Sequence, residues 1–203
     1  MGKRVLLTLA AALAVAPFIV SGVAGAQPTA TPTPTPHPTP APENNELSNN
    51  YFSNAGVSGL PAGQVRIVNN SGGYLCANIY VTDPYQEMVE CCACNLSDKS
   101  TRILSVDGDL TSNPGTGVPV SDGSVAIVSG TASGSSCGDP AKAKPVPELS
   151  AWETHPQTGG YLTEEEFTPV PLAKAALADL QAECAALELI GSGHGICTCG
   201  TGD

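Results

Sequence analysis

Gln64-Val65-Arg66-Ile67-Val68, then Asn69-Asn70-Ser71-Gly72-Gly73, then Tyr74-Leu75-Cys76-Ala77-Asn78-Ile79-Tyr80-Val81, carries the main structural signal in this chain. Apolar and polar residues alternate from Val65 to Val68, the period of a half-buried strand. The five polar and glycine residues that follow favour a reversal of the chain. Tyr74 to Val81 is rich in β-formers and gives a second strand. Outward from this stretch the pattern repeats. Asp83-Pro84 marks a turn, and Gln86 to Glu90, Thr101 to Val106, Ser124 to Ser129 and Ala151 to His155 are further short strand candidates. Frequent turns between short strands predict an antiparallel sandwich or barrel, and the β-sandwich is the expected fold. Trp152, the single tryptophan, is expected in its core.

One helix is expected, from Pro171 to Ile190. Proline lies near its first turn and Gly191 follows its end. Leu172, Ala176, Leu180, Cys184 and Leu187 recur at spacings of four and three, giving an apolar stripe. Thr163 with Glu166 three residues later fits a capping box, so a short helical turn carrying Glu164, Glu165 and Glu166 is expected before it.

The segments ahead of the sandwich differ in composition. Lys3 and Arg4 precede the apolar run Val5 to Val20, and Ala24-Gly25-Ala26 is a small-x-small site, so residues 1–26 read as a secretory signal peptide cleaved before Gln27. Residues 27–60 read as a spacer. Seven prolines between Gln27 and Glu43, alternating with Thr, favour polyproline II and a semi-rigid reach of roughly 50 Å. Asn44 to Asn54 is polar and expected to be poorly ordered. Residues 61–203 form the expected domain.

The 203 residues carry 19 acidic and 8 basic side chains, a net charge of −11. That sign argues against a nucleic-acid partner. The low charged fraction and many turn-formers argue against a coiled coil. No stable membrane span is expected once the signal is removed.

Eight cysteines, Cys76, Cys91, Cys92, Cys94, Cys137, Cys184, Cys197 and Cys199, all lie in the expected domain. An exported chain with an even number is expected to pair them as four disulfides, whose connectivity the sequence leaves open. Cys91 and Cys92 point to opposite faces of an extended segment and should bond to different elements. The glycines after Ile190 suggest a staple from Cys184 back to Cys197 or Cys199. The rival reading is a metal site of Cys91, Cys92, Cys94, Cys197, Cys199 and His194, but the spacing departs from the two to four residues that zinc sites place between paired cysteines. Cys91 and Cys94 also form a C-x-x-C without the βαβ context of a redox motif.

Catalytic signals are sparse. Gly134-Ser135-Ser136-Cys137-Gly138 fits the nucleophile-elbow pattern, but Asp139-Pro140 blocks the helix that the motif requires. His155 and His194 are the candidate bases of the domain, and neither has an evident nucleophile. Asp107-Gly108-Asp109 and Asp122-Gly123 lack EF-hand spacing and read as turns. No catalytic residue, metal ligand or cofactor is therefore assigned.

Leu75 to Asp83, Gln86-Glu87, Glu90-Cys91-Cys92-Ala93-Cys94, Asp109 to Asn113 and the ending Gly191 to Cys199 together resemble a group of uncharacterised secreted proteins predicted from genomes of soil bacteria. The resemblance runs from about Gln64 to the C-terminus. It implies export and a cysteine framework, and carries no activity. The expectation is a secreted, periplasmic or cell-surface protein with a non-catalytic surface, adhesion or binding role toward an unknown extracellular partner. The alternatives are an extracellular hydrolase with an unrecognised site, or a cysteine-based metal-binding or redox protein.

Overall fold

The computed structural model describes residues 46–190 and 192–200. The expected signal peptide, the Thr/Pro tract from Gln27 to Glu43 and His37 within it lie outside the described residues. Nine strands and one α-helix follow in order: β1 (Leu47–Phe52), β2 (Gln64–Asn69), β3 (Leu75–Thr82), β4 (Met88–Leu96), β5 (Thr101–Ser105), β6 (Gly123–Thr131), β7 (Leu149–Gln157), β8 (Tyr161–Glu166), β9 (Thr168–Val170) and α1 (Lys174–Leu189). A π-helical turn (Val106–Leu110) follows β5, and a 3-10 turn (Pro140–Lys142) precedes β7. The strands form two antiparallel sheets, ordered β4-β3-β6-β1-β9 and β5-β2-β7-β8. The fold is the expected mainly β, disulfide-stapled sandwich with a C-terminal helix.

Side-chain alternation builds the core. Val65 and Ile67 from β2, Leu104 from β5 and Leu149 and Ala151 from β7 meet Ala77, Ile79, Val81, Val125 and Ile127 from the facing sheet. The turn at Asn69 is pinned by its own side chain. The amide nitrogen donates to the carbonyls of Gly73 at 2.7 Å and Ser97 at 2.8 Å, and its oxygen accepts from the Ser71 N–H. One buried side chain thus fixes both the β2–β3 and the β4–β5 reversals.

The outer face of the five-stranded sheet is also apolar. Leu47, Tyr80, Met88, Cys91 and Val128 project there and are covered by Leu177, Leu180, Cys184 and Leu187 of α1. The Tyr80 hydroxyl donates to the Pro140 carbonyl at 2.8 Å beneath this layer. Among the described residues no helix is long and apolar enough to cross a membrane.

Several expectations need correction. The domain begins before Pro61: Leu47–Phe52, expected as part of a poorly ordered spacer, is β1, hydrogen-bonded between β6 and β9. Its few apolar residues hide the strand locally, and partners more than 70 positions away form it. Glu164 to Glu166 lie on β8, not on a helical turn, because pairing with β7 through a Gly159-Gly160 reversal outweighs the capping pattern. The helix starts at Lys174, since Thr168–Val170 pairs with β1 as β9. Trp152 is half-buried. Ala151 beside it packs inward, so Trp152 lies on the outer face, between Arg66 and Glu166 in register.

Candidate functional site

The same alternation places two polar residues inside. Leu149 and Ala151 fill the core, and Glu153 and His155 continue the inward row on β7. Glu153 is 1% exposed and His155 2%. In register, Glu153 stands between Val65 of β2 and Glu165 of β8. Neither Glu153 oxygen and neither His155 ring nitrogen has a hydrogen-bond partner. His155 Nε2 lies 3.8 Å from Glu165 Oε2, and the imidazole stacks on Tyr51 of β1. The cluster therefore bridges the two sheets.

Burial disfavours charge in such a setting. Desolvation, reinforced by the nearby Glu165 carboxylate, pushes Glu153 up to about 8. Desolvation holds the His155 imidazole below its usual range, against an opposing pull from Glu165. At neutral pH the pair is an uncharged carboxylic acid and a neutral imidazole. No hydroxyl or thiol is hydrogen-bonded to the His155 ring, so no activated nucleophile stands next to it among the described residues.

The other candidates lie elsewhere. His194 is exposed, in a loop where its N–H donates to Ser192 Oγ, and lines a separate depression with Asp107 and Pro114. Asp109 accepts from the Ser105 N–H and the Thr198 hydroxyl, while Asp107 accepts from the Gly56 N–H. These are turn and loop bonds, as expected. Gly134 to Gly138 forms a tight reversal closed by Ser133 and Ser136, with only a three-residue 3-10 turn beyond it.

The eight cysteines form four disulfides: Cys76–Cys137, Cys91–Cys184, Cys92–Cys197 and Cys94–Cys199. None is free. Cys91 and Cys92 do serve different elements. The staple from Cys184 to the tail is wrong: Cys184 bonds to Cys91. The apolar stripe of α1 lies on the outer face of β4, where Cys91 points, whereas Cys92 and Cys94 point to the core side. The tail runs parallel to β4 along its edge, with the Cys91 N–H donating to Gly195 and the Cys197 N–H to Cys91. Arg102 Nη1 on β5 donates to the Cys199 carbonyl at 2.8 Å. The tail thus closes the sandwich between β4 and β5.

Sequence reasoning named His155 but missed Glu153 and Tyr51, and placed Glu165 on a helical turn instead of on β8 beside them. The available signal was Glu153 in step with Leu149 and Ala151, a carboxylate on the buried face. Comparison with protein-family models, curated proteins and solved structures gives no match.

Proposed function

We propose that this chain is an exported, non-catalytic protein that presents a rigid β-sandwich on a Thr/Pro spacer for a surface or binding role outside the cell. The resemblance to secreted cysteine-rich proteins of soil bacteria supports the export and the cysteine framework alone. Four disulfides support an oxidising destination, because thiols pair and stay paired there. The observation that carries the non-catalytic reading is the burial of Glu153 and His155. The acid and base with the most catalytic character are sealed from any substrate, at 1% and 2% exposure. An inward polar pair on a strand that otherwise fills the core acts on packing and pH response, not on a bound molecule.

Two measurements test this. Protein recovered from the medium of producing cells should begin at Gln27 and contain no titratable thiol. The same material should not hydrolyse ester, glycoside or peptide substrates faster than its Glu153→Gln and His155→Gln variants. Turnover that disappears in those variants, with the fold intact, would establish an extracellular hydrolase instead. Recovery of the chain inside cells, beginning at Met1, would remove the export reading.

A further inference from the structure

Cys92 and Cys94 are two residues apart on β4, and Cys197 and Cys199 two apart on the tail running parallel beside it. Equal spacing in parallel segments brings three of the four sulfurs into one cluster, with the fourth, Cys197, attached to it through its bond to Cys92. Sγ of Cys92, Cys94 and Cys199 lie within 4.8 Å of one another, and Cys197 is bonded to the first of them. The Cys92–Cys94 sulfur separation is 4.0 Å. Four thiolates held about 2.3 Å from a zinc ion stand about 3.8 Å apart along each edge of the tetrahedron. We propose that this seam has a second state, in which reduction of its two disulfides leaves Cys92, Cys94, Cys197 and Cys199 as a tetrathiolate site for zinc or a similar soft divalent cation.

The scaffold for that state is already built. Backbone bonds from Cys91 to Gly195, from Cys197 to Cys91 and from Thr198 to Asp109 hold the tail against β4 and the π-helical turn independently of sulfur. Cys92, Cys94 and Cys197 are buried, so water competes poorly for the cation. A zinc tetrathiolate carries two negative charges. The Arg102 guanidinium, bonded to the carbonyls of Asn95 and Cys199, places positive charge beside it. Cys91 faces α1 on the opposite side of the sheet, and His194 is exposed in its own loop, so neither belongs to the set.

The chemistry balances with a dithiol reductant. Two dithiols each deliver two electrons and two protons and become disulfides, opening Cys92–Cys197 and Cys94–Cys199 to four thiols. Four Zn–S bonds then form as four protons leave, so loading weakens as pH falls. In the oxidised state the same residues are a covalent clamp. The reducing power of the surroundings selects between clamp and cation site.

The full exported chain, reduced with a dithiol and freed of it under anaerobic conditions, is titrated with cobalt chloride. The expected result is a single cobalt per chain with the red d–d bands and strong near-ultraviolet thiolate charge transfer of a tetrahedral sulfur site, displaced by zinc. Cys94→Ser and Cys199→Ser should each shift the d–d bands and lose charge-transfer intensity, while the double variant Cys91→Ser, Cys184→Ser should keep both. No tetrahedral cobalt spectrum, or one that depends on Cys91, Cys184, Cys76 or Cys137 as strongly as on Cys94, overturns the proposal. If reduction loosens the fold, zinc must slow amide exchange at Cys197 and Thr198. Exchange there that is unchanged by zinc overturns it equally.

Discussion

His155 lies flat against Tyr51, with ring centroids 4.5 Å apart and planes inclined by 14°. The contact joins β7 of one sheet to β1 of the other. Tyr51 is 52% exposed and His155 only 2%, so the phenol ring is what stands between the imidazole and water. Tyr51→Ala should therefore raise the His155 pKa toward the ordinary value of about 6.5, read by NMR titration of the ring protons. Loss of the stack should also cost about 0.5 to 1.5 kcal/mol of stability beyond the area exposed. An unchanged titration would assign the burial to the sheets and not to the phenol.

Glu153 gives the fold a pH dependence of definite sign. Its folded carboxyl is pushed up to about 8, while in the unfolded chain it ionises near 4.5. The folded state holds the proton more tightly, so the stability present below pH 4.5 is lost as pH rises toward 8. His155 acts oppositely: its folded pKa is lowered, so its contribution is lost as pH falls below the unfolded value. Glu153→Gln keeps the shape and removes the ionisation. Relative to the natural chain it should be more stable at pH 8, by on the order of a few kcal/mol, and little changed at pH 4. Thermal melts at the two pH values test this. An advantage that does not grow with pH would mean that the carboxylate is solvated in the folded state.

What sequence reasoning captured and what it missed divide along the range of the interactions. β2 and β3 are visible because Val65, Ile67 and Ile79 carry a local alternation that water enforces wherever one face is buried. The stripe from Ala176 to Leu187 is visible for the same reason. β1 is not, because Ser48-Asn49-Asn50 has no strand preference of its own and is ordered by Val125 to Val128 and by β9. β8 was misread because Thr163 and Glu166 satisfy a local helix signal, although the Gly159-Gly160 pair ahead of them was a hairpin signal. The disulfide partners of Cys91 and Cys92 depend on which sheet face meets the helix, a property of topology alone. The candidate cluster has the same origin: His155 was visible as a residue type, but its neighbours Tyr51 and Glu165 come from other strands.

The position of β1 predicts a boundary. A chain beginning at Asn44 should fold, and one beginning at Pro61 should not. The shorter chain loses the strand between β6 and β9 and with it Phe52, which is 2% exposed in the core. Removing a buried phenylalanine alone costs about 3 to 5 kcal/mol, a large part of the stability of a domain this size. Circular dichroism and proton NMR dispersion of the two chains decide the matter. A dispersed spectrum from the Pro61 chain would make β1 an accessory strand.

The Cys91–Cys184 bridge closes a loop with a sequence separation of 93 residues and is the covalent tie from α1 to the sheet. The double variant Cys91→Ala, Cys184→Ala avoids leaving a stray thiol. With Cys92–Cys197 intact, the loop that this bridge closes shrinks to about 15 residues, for which the chain-entropy model gives about 3 kcal/mol. Leu177, Leu180 and Leu187 should still hold the helix on Tyr80 and Val128, so the variant should fold with a lower melting temperature and faster amide exchange confined to α1. Exchange that quickens equally in β2 and β7 would show that the bridge supports the whole sandwich.

Glu90 connects the sheet to the tail. Its Oε1 accepts the Asn113 N–H at 2.7 Å, and Asn113 in turn donates from its side chain to the Gly193 carbonyl at 2.7 Å and accepts the Gly195 N–H at 2.7 Å. The carboxyl is fully buried, its Oε2 has no partner, and burial pushes it up to about 7 against the opposing Asn113 bond. Glu90→Gln keeps an oxygen for Asn113 and removes the charge, so tail protection should persist and stability should change less between pH 5 and pH 8 than in the natural chain. Glu90→Ala leaves the Asn113 N–H without an acceptor in a partly buried site, a loss of about 1 to 3 kcal/mol. Its effect should be local: amide exchange at Gly195 and Cys197 should quicken, while β2 and β7 keep their protection apart from the global shift. Both disulfides of the tail remain intact in this variant, so faster exchange there reports the hydrogen-bond chain and not the sulfur. If Gly195 exchanges at the same rate in Glu90→Ala as in Glu90→Gln, the two disulfides alone hold the tail and Glu90 has no part in it.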